Sequence, residues 1–344
     1  MALLTSESAD VREASGTAVS VAGLAEALSL NGVNLAVLRA RRHPLGHTVG
    51  RAAFNGGVSW PQGAYDVVAG IGGDGHAAAG RAGVPFIALP KALYGAVVDH
   101  EGALTRAVLR RHAAWEARGA RAAARVIVPS RFAAGFVHEH FDVAWKRIEV
   151  IPEPFAVSAW RASMPRSVRE GRRVLVVAHL YARKRVRDVV AAWPAVLRAR
   201  PDALLDIVGD GPELGVVRRA AGGVPGIMVH GHVARHRLPA LYARADVAVS
   251  ASAHETFGYA VLEALASGLP VVAADAAAVL ELCDGAVEER VKVGDVDGLA
   301  TSILRVLSPA VADAAAAANP LAAARCESAL IGARYVQALR SVLA

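Results

Sequence analysis

The chain alternates short runs of aliphatic residues with longer alanine-rich stretches. The aliphatic runs hold few polar residues, which is typical of parallel strands buried on both faces, and the alanine-rich stretches have helical spacing. The first 40 residues fit a strand, a glycine-containing loop, a helix and a strand. Further strands are predicted within residues 65–71, 85–90, 124–130, 172–180, 203–211, 226–232, 245–252 and 269–275. The pattern predicts an α/β fold in which helices connect parallel strands.

The alternation is interrupted between residues 148 and 173, where prolines at 152, 154 and 165 break the apolar pattern. It resumes at Val174, as expected for a second doubly wound sheet. We therefore predict two domains, residues 1–155 and residues 156–327. The remaining tail is helical, and periodicity alone leaves open whether a helix at about 328–344 packs on the first domain.

Composition narrows the class of protein. With 344 residues, 54% of them hydrophobic and 20% charged, the chain can bury a large core, so disorder is not expected. No apolar run reaches the roughly 18 residues of a spanning helix, and the first ten residues do not resemble a signal peptide, so a cytoplasmic location is predicted. The two cysteines, Cys283 and Cys326, do not suggest a disulfide framework or a thiolate zinc site. The net charge of +7 would favour binding to phosphates, nucleic acid or an anionic membrane, and it does not distinguish among these partners.

The segment His254–Pro270 carries the clearest candidate chemistry. It follows a predicted strand, and a helix is expected to begin near Phe257, where unpaired N–H groups would make an anion site. Gly258 would let a ligand approach the backbone closely. Glu255 precedes the helix and Glu263 lies one turn beyond its start, so two carboxylates would flank the anion and accept hydrogen bonds from hydroxyls. A nucleotide sugar matches this layout, although Glu255 and Glu263 could equally be a loop carboxylate and a solvated helix residue.

Other motifs offer rival interpretations. The stretch GIGGDG, residues 70–75, has the spacing of a dinucleotide fingerprint, but it follows a complete strand and helix, so an incidental glycine-rich loop is favoured. It also resembles the GGDG of lipid and NAD kinases, with His76 in place of their threonine. The histidines at 230, 232 and 236 lack a nearby carboxylate or cysteine, so surface residues are favoured over a metal site. The basic stretch 106–125 could lie on anionic lipid or form a solvated face.

The residues 245–275, ADVAVSASAHETFGYAVLEALASGLPVVAAD, resemble the donor-binding signature of retaining glycosyltransferases of family 4. The similarity continues in the family's order over most of residues 120–310. It implies the GT-B architecture, with two Rossmann-like domains whose parallel sheets face across a cleft, residues 1–155 binding the acceptor and residues 156–327 the donor. The implied activity is a hexosyl transfer with retention from a nucleoside diphosphate sugar, most commonly a UDP-sugar, to a natural-product or cell-envelope acceptor. A non-catalytic nucleotide-sugar binder and a lipid- or NAD-type kinase are the alternatives.

The resemblance also implies roles for individual residues of the second domain. Glu263 would bond the donor ribose, and Glu255 would lie near the transferred sugar. Lys184 would neutralise the leaving diphosphate, so that Glu255 and Lys184 are the candidate catalytic residues. His179 replaces an arginine that the family usually has, and Arg183 or Arg185 could compensate for the lost charge. The backbone of Phe257, Gly258 and Tyr259 would hold the diphosphate, and His232 and Val233 would lie beside the base. Thr256 is a further candidate donor-binding residue.

The first domain matches the family less closely. Gly16 and Thr17 correspond to a glycine-containing loop that meets the diphosphate. Where family members carry a histidine facing the sugar, this chain has Pro90, Lys91 and Tyr94, with His76 and His100 as nearby candidates. The expected partners are a nucleotide sugar as co-substrate and a small-molecule or lipid-linked acceptor, with peripheral membrane contact an option. No nucleic acid, metal or resident cofactor is expected.

Overall fold

The computed structural model describes residues 1–6, 16–40, 44, 47–61, 63–79, 83–100, 103–166 and 169–343. These residues form two compact units. Unit 1 consists of Met1–Phe155 together with Ser328–Ala344, and unit 2 consists of Ala156–Glu327.

Each unit is built on a parallel sheet, and the described residues contribute six strands to each. The strands are β1 Ala2–Thr5, β2 Ala36–Arg39, β3 Val68–Ile71, β4 Phe86–Leu89, β5 Arg125–Val128, β6 Ile148–Val150, β7 Arg173–Val177, β8 Leu204–Val208, β9 Ile227–Gly231, β10 Val247–Ser250, β11 Val271–Ala274 and β12 Glu288–Val291. Unit 1 has the order β2-β1-β3-β4-β5-β6, and unit 2 has the order β12-β11-β10-β7-β8-β9. This confirms the predicted α/β class with two parallel sheets.

Helices follow most strands and cover the faces of the sheets. They are α1 Gly16–Leu30, α2 His47–Gly57, α3 Tyr94–Val97, α4 Ala103–Ala122, α5 Arg131–Phe141, α6 Val157–Ser163, α7 Val186–Ala199, α8 Leu214–Ala221, α9 Leu238–Arg244, α10 Tyr259–Ala266, α11 Ala277–Leu282, α12 Val296–Val306, α13 Pro309–Ala324 and α14 Ser328–Leu343. Short 3₁₀ turns add to these, among them Ala182–Lys184 and Arg235–Arg237.

The core of unit 1 lies on both faces of its sheet. On one face, Leu3, Ile71 and Ile87 pack against Leu24 of α1 and Ile331 of α14. Helices α4 and α5 cover the opposite face, with small residues such as alanine in the contacts. The helical tail thus contributes directly to the unit 1 core, because Ile331 and its neighbours bury apolar area that would otherwise face water.

The core of unit 2 has the same layered arrangement. Val174 and Val176 of β7 are buried against α7 and α12, through residues such as Trp193 and Ile303. Helix α10 is also largely buried, from Val261 to Ala266. The alternation of aliphatic runs and alanine-rich stretches therefore corresponds to strands and helices that bury apolar surface on both sides of a sheet.

Two strands were not predicted, and both lie at sheet edges. In the described residues, β6 pairs with β5 alone and β12 pairs with β11 alone. An edge strand has one open side and need not be apolar, so Glu288–Val291 carries two glutamates and an arginine. The apolar pattern on which the strand predictions rested is therefore weak in these strands.

Among the described helices, no single one is long and apolar enough to cross a membrane. The helix pair Val296–Val306 and Pro309–Ala324 would together be long and apolar enough by length and composition, but the two helices meet at an angle of 87°.

Candidate functional site

The order of the strands in unit 2 places two loops next to each other. In chain order, β8 and β9 are added on one side of β7, and β10, β11 and β12 are then added on its other side. The loops that follow β7 and β10 therefore leave the same edge of the sheet as neighbours, and their backbones are joined by a hydrogen bond from Ala253 N to Arg183 O of 2.8 Å. In open α/β sheets, ligands bind at this point, where the strand order reverses.

The two candidate catalytic residues meet in these loops. Lys184 ends the 3₁₀ turn after β7, and its Nζ lies 2.5 Å from Oε1 of Glu255 in the loop after β10. The two side chains are 17% and 16% exposed, so the ion pair is accessible from solvent but not freely solvated. The structure thus brings together two side chains that are 71 positions apart in the sequence.

Helix α10 begins at Tyr259, two residues later than Phe257, where the start was predicted. Gly258 at the N-cap has a φ of +104°, a conformation that alanine and larger residues rarely adopt. It is buried, and a Cβ built on it would lie 3.4 Å from Cγ2 of Val279. The backbone conformation is therefore sufficient reason for glycine, whereas the prediction had invoked the close approach of a ligand. The N-terminal N–H groups of α10 lie next to the loop that carries Glu255.

Glu263 is not a solvated helix residue, because it is only 2% exposed. Its Oε1 lies 2.6 Å from Nη1 of Arg235, and its Oε2 accepts a hydrogen bond of 3.0 Å from the hydroxyl of Tyr242. Burial raises the pKa of Tyr242 well above its usual value, and the neighbouring Glu263 raises it further. The sequence analysis missed Arg235 and Tyr242, since they are 28 and 21 positions from Glu263 and no local spacing rule joins them.

The positive charges after β7 have different surroundings. Desolvation lowers the pKa of His179, and the nearby Arg183 and Lys184 lower it further, so this side chain supplies little positive charge at neutral pH. The guanidinium of Arg183 lies 4.4 Å from the ring of Tyr181. Arg185 is paired with Asp188 of α7, with 2.7 Å between Nε and Oδ2. The positive charge of Arg185 is therefore already paired with a carboxylate, which makes this arginine less suited to compensate for His179.

The loop after β9 holds the residues that were expected beside a base. His232 is exposed and Val233 is half-buried. His230 is turned toward the neighbouring strand, and its Nε2 lies 2.7 Å from Oδ1 of Asp206. The described residues contain no group of three or more histidines, cysteines or carboxylates placed to hold a metal ion.

In unit 1, Gly16 and Thr17 are the first two residues of α1. Gly16 is exposed and Thr17 is half-buried, whereas the residues before them, 7–15, lie outside the described part of the chain. Among the remaining candidates, the backbone of His100 ends a 3₁₀ turn, but its side chain is also outside the described part.

The GIGGDG stretch ends β3 and forms a buried turn. Asp74 is 1% exposed and is saturated by Arg51 Nε at 2.9 Å, Asn55 Nδ2 at 3.1 Å, and both the N–H and the hydroxyl of Ser6 at 2.6 and 2.8 Å. A Cβ on the glycine at 75 would lie 2.6 Å from Leu4 Cδ1, so internal packing explains that glycine. His76 is buried beneath the turn and stacks on Trp115. This is a structural turn, which gives no support to a kinase-type nucleotide loop.

The loop after β4 carries the other unit 1 candidates, and their side chains contact the core. Pro90 is buried, and Lys91 Nζ lies 2.7 Å from Oε1 of Glu153 and 3.3 Å from the hydroxyl of Tyr335 on α14. Burial lowers the pKa of Lys91, but the Coulomb attractions and hydrogen bonds of Glu153 and Tyr335 together outweigh it, so the pKa is raised. The hydroxyl of Tyr94 accepts a hydrogen bond of 3.0 Å from Arg51. Lys91 is therefore a structural cation.

A buried carboxyl supports the same loop and was not predicted. Glu116 of α4 is fully buried, and its Oε2 accepts a hydrogen bond of 2.8 Å from Tyr94 N. Its Oε1 has no hydrogen-bond partner among the described residues. Burial raises the pKa of Glu116 to about 7. It lies within the basic stretch 106–125, which was expected to face lipid or solvent.

Two family descriptions match this chain. Residues 171–309 match "Glycosyl transferases group 1", and residues 59–158 match "Glycosyltransferase Family 4". A GDP-mannose-dependent alpha-(1-6)-phosphatidylinositol dimannoside mannosyltransferase of Mycobacterium tuberculosis is 42% identical over 94 residues, or 27% of this chain and 24% of that protein. The match thus spans about a quarter of the length of that relative.

Solved structures resemble the whole chain at low sequence identity. Sucrose-phosphate synthase from Thermosynechococcus elongatus has a TM-score of 0.77 and 19% identity, covering 99% of this chain and 98% of that one. Anabaena HepE, crystallised with UDP and glucose, has a TM-score of 0.72 and 17% identity, covering 99% of both chains. At these identities the likeness concerns the fold. The two family matches, taken with this fold, show that the chain belongs to glycosyltransferase family 4 and has the GT-B architecture.

Proposed function

We propose that this protein is a retaining glycosyltransferase that moves a sugar from a nucleoside diphosphate donor to a natural-product or cell-envelope acceptor. The observation that carries the proposal is the meeting of Lys184 and Glu255 at the point where the strand order of unit 2 reverses, beside the N-terminus of α10. A cation, helix N–H groups and a carboxylate are then available within one small region for a phosphate and a sugar.

Each part of the site has a role in this proposal. When the bond between the sugar and the diphosphate breaks, negative charge accumulates on the departing phosphate. The ammonium of Lys184 and the N–H groups of α10 stabilise that charge in place. Glu255 contacts the transferred sugar, while Glu263 accepts hydrogen bonds from the ribose hydroxyls. A diphosphate would compete with Glu255 for Lys184, since the two groups pair directly in the structure.

UDP is the donor head group that we propose. The Anabaena structure contains UDP and glucose, and the mycobacterial relative is GDP-mannose-dependent, so the comparisons support a nucleoside diphosphate sugar as the class. Calorimetric titration with UDP, GDP and ADP tests the base. Turnover of radiolabelled UDP-sugars, including slow hydrolysis to free sugar and UDP, tests catalysis, and the anomeric form of the product tests retention.

A matched pair of variants sharpens the test. Lys184→Met should weaken UDP binding by roughly tenfold, because a charge-assisted contact to phosphate is lost, and should reduce turnover by roughly 100-fold or more. Lys292→Met removes the same charge from an exposed position of unit 2 and should change neither. Equal effects of both variants would mean that only net charge matters, which would contradict the proposed site.

A non-catalytic nucleotide-sugar binder is the main alternative, because His179 supplies little charge at neutral pH and Lys91 is a structural cation. Tight UDP binding with no hydrolysis or transfer of any tested sugar would favour it. Three further predictions concern the acceptor, the location and the membrane. The acceptor is a small molecule or lipid-linked, the location is cytoplasmic, and the basic helix α4 makes peripheral contact with a membrane. Sedimentation with anionic vesicles tests the membrane contact.

A further inference from the structure

Arg235 and Tyr242 hold the carboxylate of Glu263 from two sides. The arginine contacts Oε1 at 2.6 Å and the tyrosine hydroxyl contacts Oε2 at 3.0 Å. The three residues come from the 3₁₀ turn after β9, from α9 and from α10.

Burial makes this arrangement energetically important. A carboxylate that is 2% exposed has lost nearly all of its hydration, which is costly unless a cation and hydrogen-bond donors replace the water. An ionised carboxylate has about four acceptor positions, and Arg235 and Tyr242 use two of them. The remaining positions have directions that are fixed by these two contacts, since a group held at both oxygens cannot rotate.

The place of Arg235 in the chain links two parts of the donor site. It follows Val233 by two positions and His232 by three, and these are the residues expected beside the base. Its guanidinium contacts Glu263, the residue expected at the ribose. The guanidinium carbon also lies 5.7 Å from the centre of the ring of Trp160, a largely buried aromatic side chain. The loop after β9 and the carboxylate on α10 are therefore fixed to each other.

We propose that Arg235 is a positioning residue for the donor nucleoside, which holds Glu263 in the orientation that receives the ribose hydroxyls. This inference rests on the proposed function and deepens it. Arg235 makes the recognition of the ribose depend on the base-side loop, because displacement of that loop would move the guanidinium and release Oε1 of Glu263. Tyr242 assists from the opposite oxygen.

A ribose analogue separates this role from a structural one. Calorimetry measures the binding of UDP and of 2′,3′-dideoxy-UDP to the wild type and to Arg235→Met, Tyr242→Phe and Arg237→Met. Arg237 lies on the same 3₁₀ turn and is exposed, so its variant removes the same charge without touching Glu263. We expect the wild type to prefer UDP over the analogue by roughly tenfold or more, as for hydrogen bonds to a charged group.

Arg235→Met should lower that preference to about twofold while the affinity for the dideoxy analogue changes little, because the lost contact acts through the ribose. Tyr242→Phe should act in the same direction, and Arg237→Met should retain the wild-type preference. In a Glu263→Gln background, Arg235→Met should cause no further loss of preference. If Arg235→Met does not fold, Arg235→Lys, which keeps the charge but loses the planar fork, takes its place with the same expectation of a reduced preference.

The outcomes that contradict the inference differ from those that contradict the proposed function. A wild type that binds no nucleoside diphosphate would remove the proposed function. A wild type that prefers UDP, together with an Arg235→Met variant of undiminished preference, would overturn only the role of Arg235. Tighter UDP binding by Arg235→Met would also overturn it, since the arginine would then obstruct the ribose.

Discussion

Glu255 and Glu263 lie eight positions apart and have very different surroundings. The side chain of Glu255 is 16% exposed and that of Glu263 is 3% exposed, although each is paired with a cation. An accessible carboxylate can contact a substrate that changes during the reaction, whereas a buried and fixed carboxylate is suited to holding an unchanging part of it. The difference suggests separate roles in transfer and in binding.

Substitution of the two glutamates should therefore give different kinetic results. We expect Glu263→Ala to weaken UDP binding by roughly tenfold, because it removes hydrogen bonds to a charged acceptor. Glu255→Ala should reduce turnover by roughly 100-fold with a smaller effect on UDP binding, as for an interaction that matters most in the transition state. Calorimetry with UDP and steady-state rates with a UDP-sugar measure the two effects. Equal or negligible effects of both changes would count against these roles.

Glu116 should make the stability of unit 1 depend on pH. Burial raises its pKa from 4.5 to about 7, so the folded protein retains a proton that the unfolded chain has released. The stabilisation is fully present below about pH 4.5 and is lost as the pH rises toward about 7, with a limit of about 3 kcal/mol. Glu116→Gln, which is uncharged at every pH, should be more stable than the wild type at pH 8 and similar to it at pH 4.5.

Urea unfolding at the two pH values measures this difference. Glu139→Gln, at an exposed position of α5, serves as the control and should change stability little at either pH. If the difference in stability between the wild type and Glu116→Gln is the same at pH 4.5 and pH 8, Glu116 is not the group that makes stability depend on pH.

At the level of elements, the start of α10 depends on one residue. The sequence predicted a start near Phe257, but Gly258 has a φ of +104° and delays the helix to Tyr259. The positions of the first N–H groups follow from this conformation. Helix starts are difficult to place from sequence, because the periodic apolar residues lie inside the helix and the capping conformation does not.

Gly258→Ala should disturb both stability and binding. An alanine at this φ is strained by about 1–2 kcal/mol, and relief of the strain would move the first N–H groups of α10. We expect lower stability of unit 2 and weaker UDP binding. Gly285→Ala is the control, since Gly285 also has a positive φ, of +76°, and is exposed, with no atom within 4 Å of the place that a Cβ would occupy. It should lower stability but leave UDP binding unchanged, and a similar loss of binding in both variants would contradict the role of α10.

Most strands and helices were predictable, because the periodicity of apolar residues records which faces are buried. The edge strands β6 and β12 were exceptions, as one side of each is open. The pairings within the candidate site were less predictable. Lys184 and Glu255 were both named from the family resemblance, whereas Arg235 carried no signal, because its role depends on a contact with Glu263 across 28 positions.

At the level of the whole molecule, the end of the chain is attached to its beginning by a buried polar cluster. Lys91, Glu153 and Tyr335 meet below the loop after β4, and Ser20 of α1 donates a hydrogen bond of 2.6 Å to Glu153. Helix α14 also crosses α1 closely, since a Cβ on Gly332 would lie 2.2 Å from Ala27 O. Unit 1 is therefore completed by residues from both ends of the chain.

Breaking this cluster should destabilise unit 1 strongly. Lys91→Met leaves the buried carboxylate of Glu153 without its cation, which typically costs about 3–5 kcal/mol. Lys91→Met combined with Glu153→Leu removes both charges and should recover much of that loss. Lys146→Met, at an exposed position of unit 1, is the control and should have little effect. Thermal and urea unfolding measure the stabilities, and a Lys91→Met variant as stable as the control would show that the ion pair contributes little.

The amino-acid sequence was enough to specify the α/β class, most strands and the segment around Glu255, because burial periodicity and a long motif are local properties of a chain. Three-dimensional folding determined the partners of each charge. It placed Lys184 on Glu255 and Arg235 on Glu263, and it enclosed Lys91 and Glu116 within unit 1. Electrostatic interactions depend on distance in space and on exclusion of water, and both arise only when segments far apart in the sequence pack together.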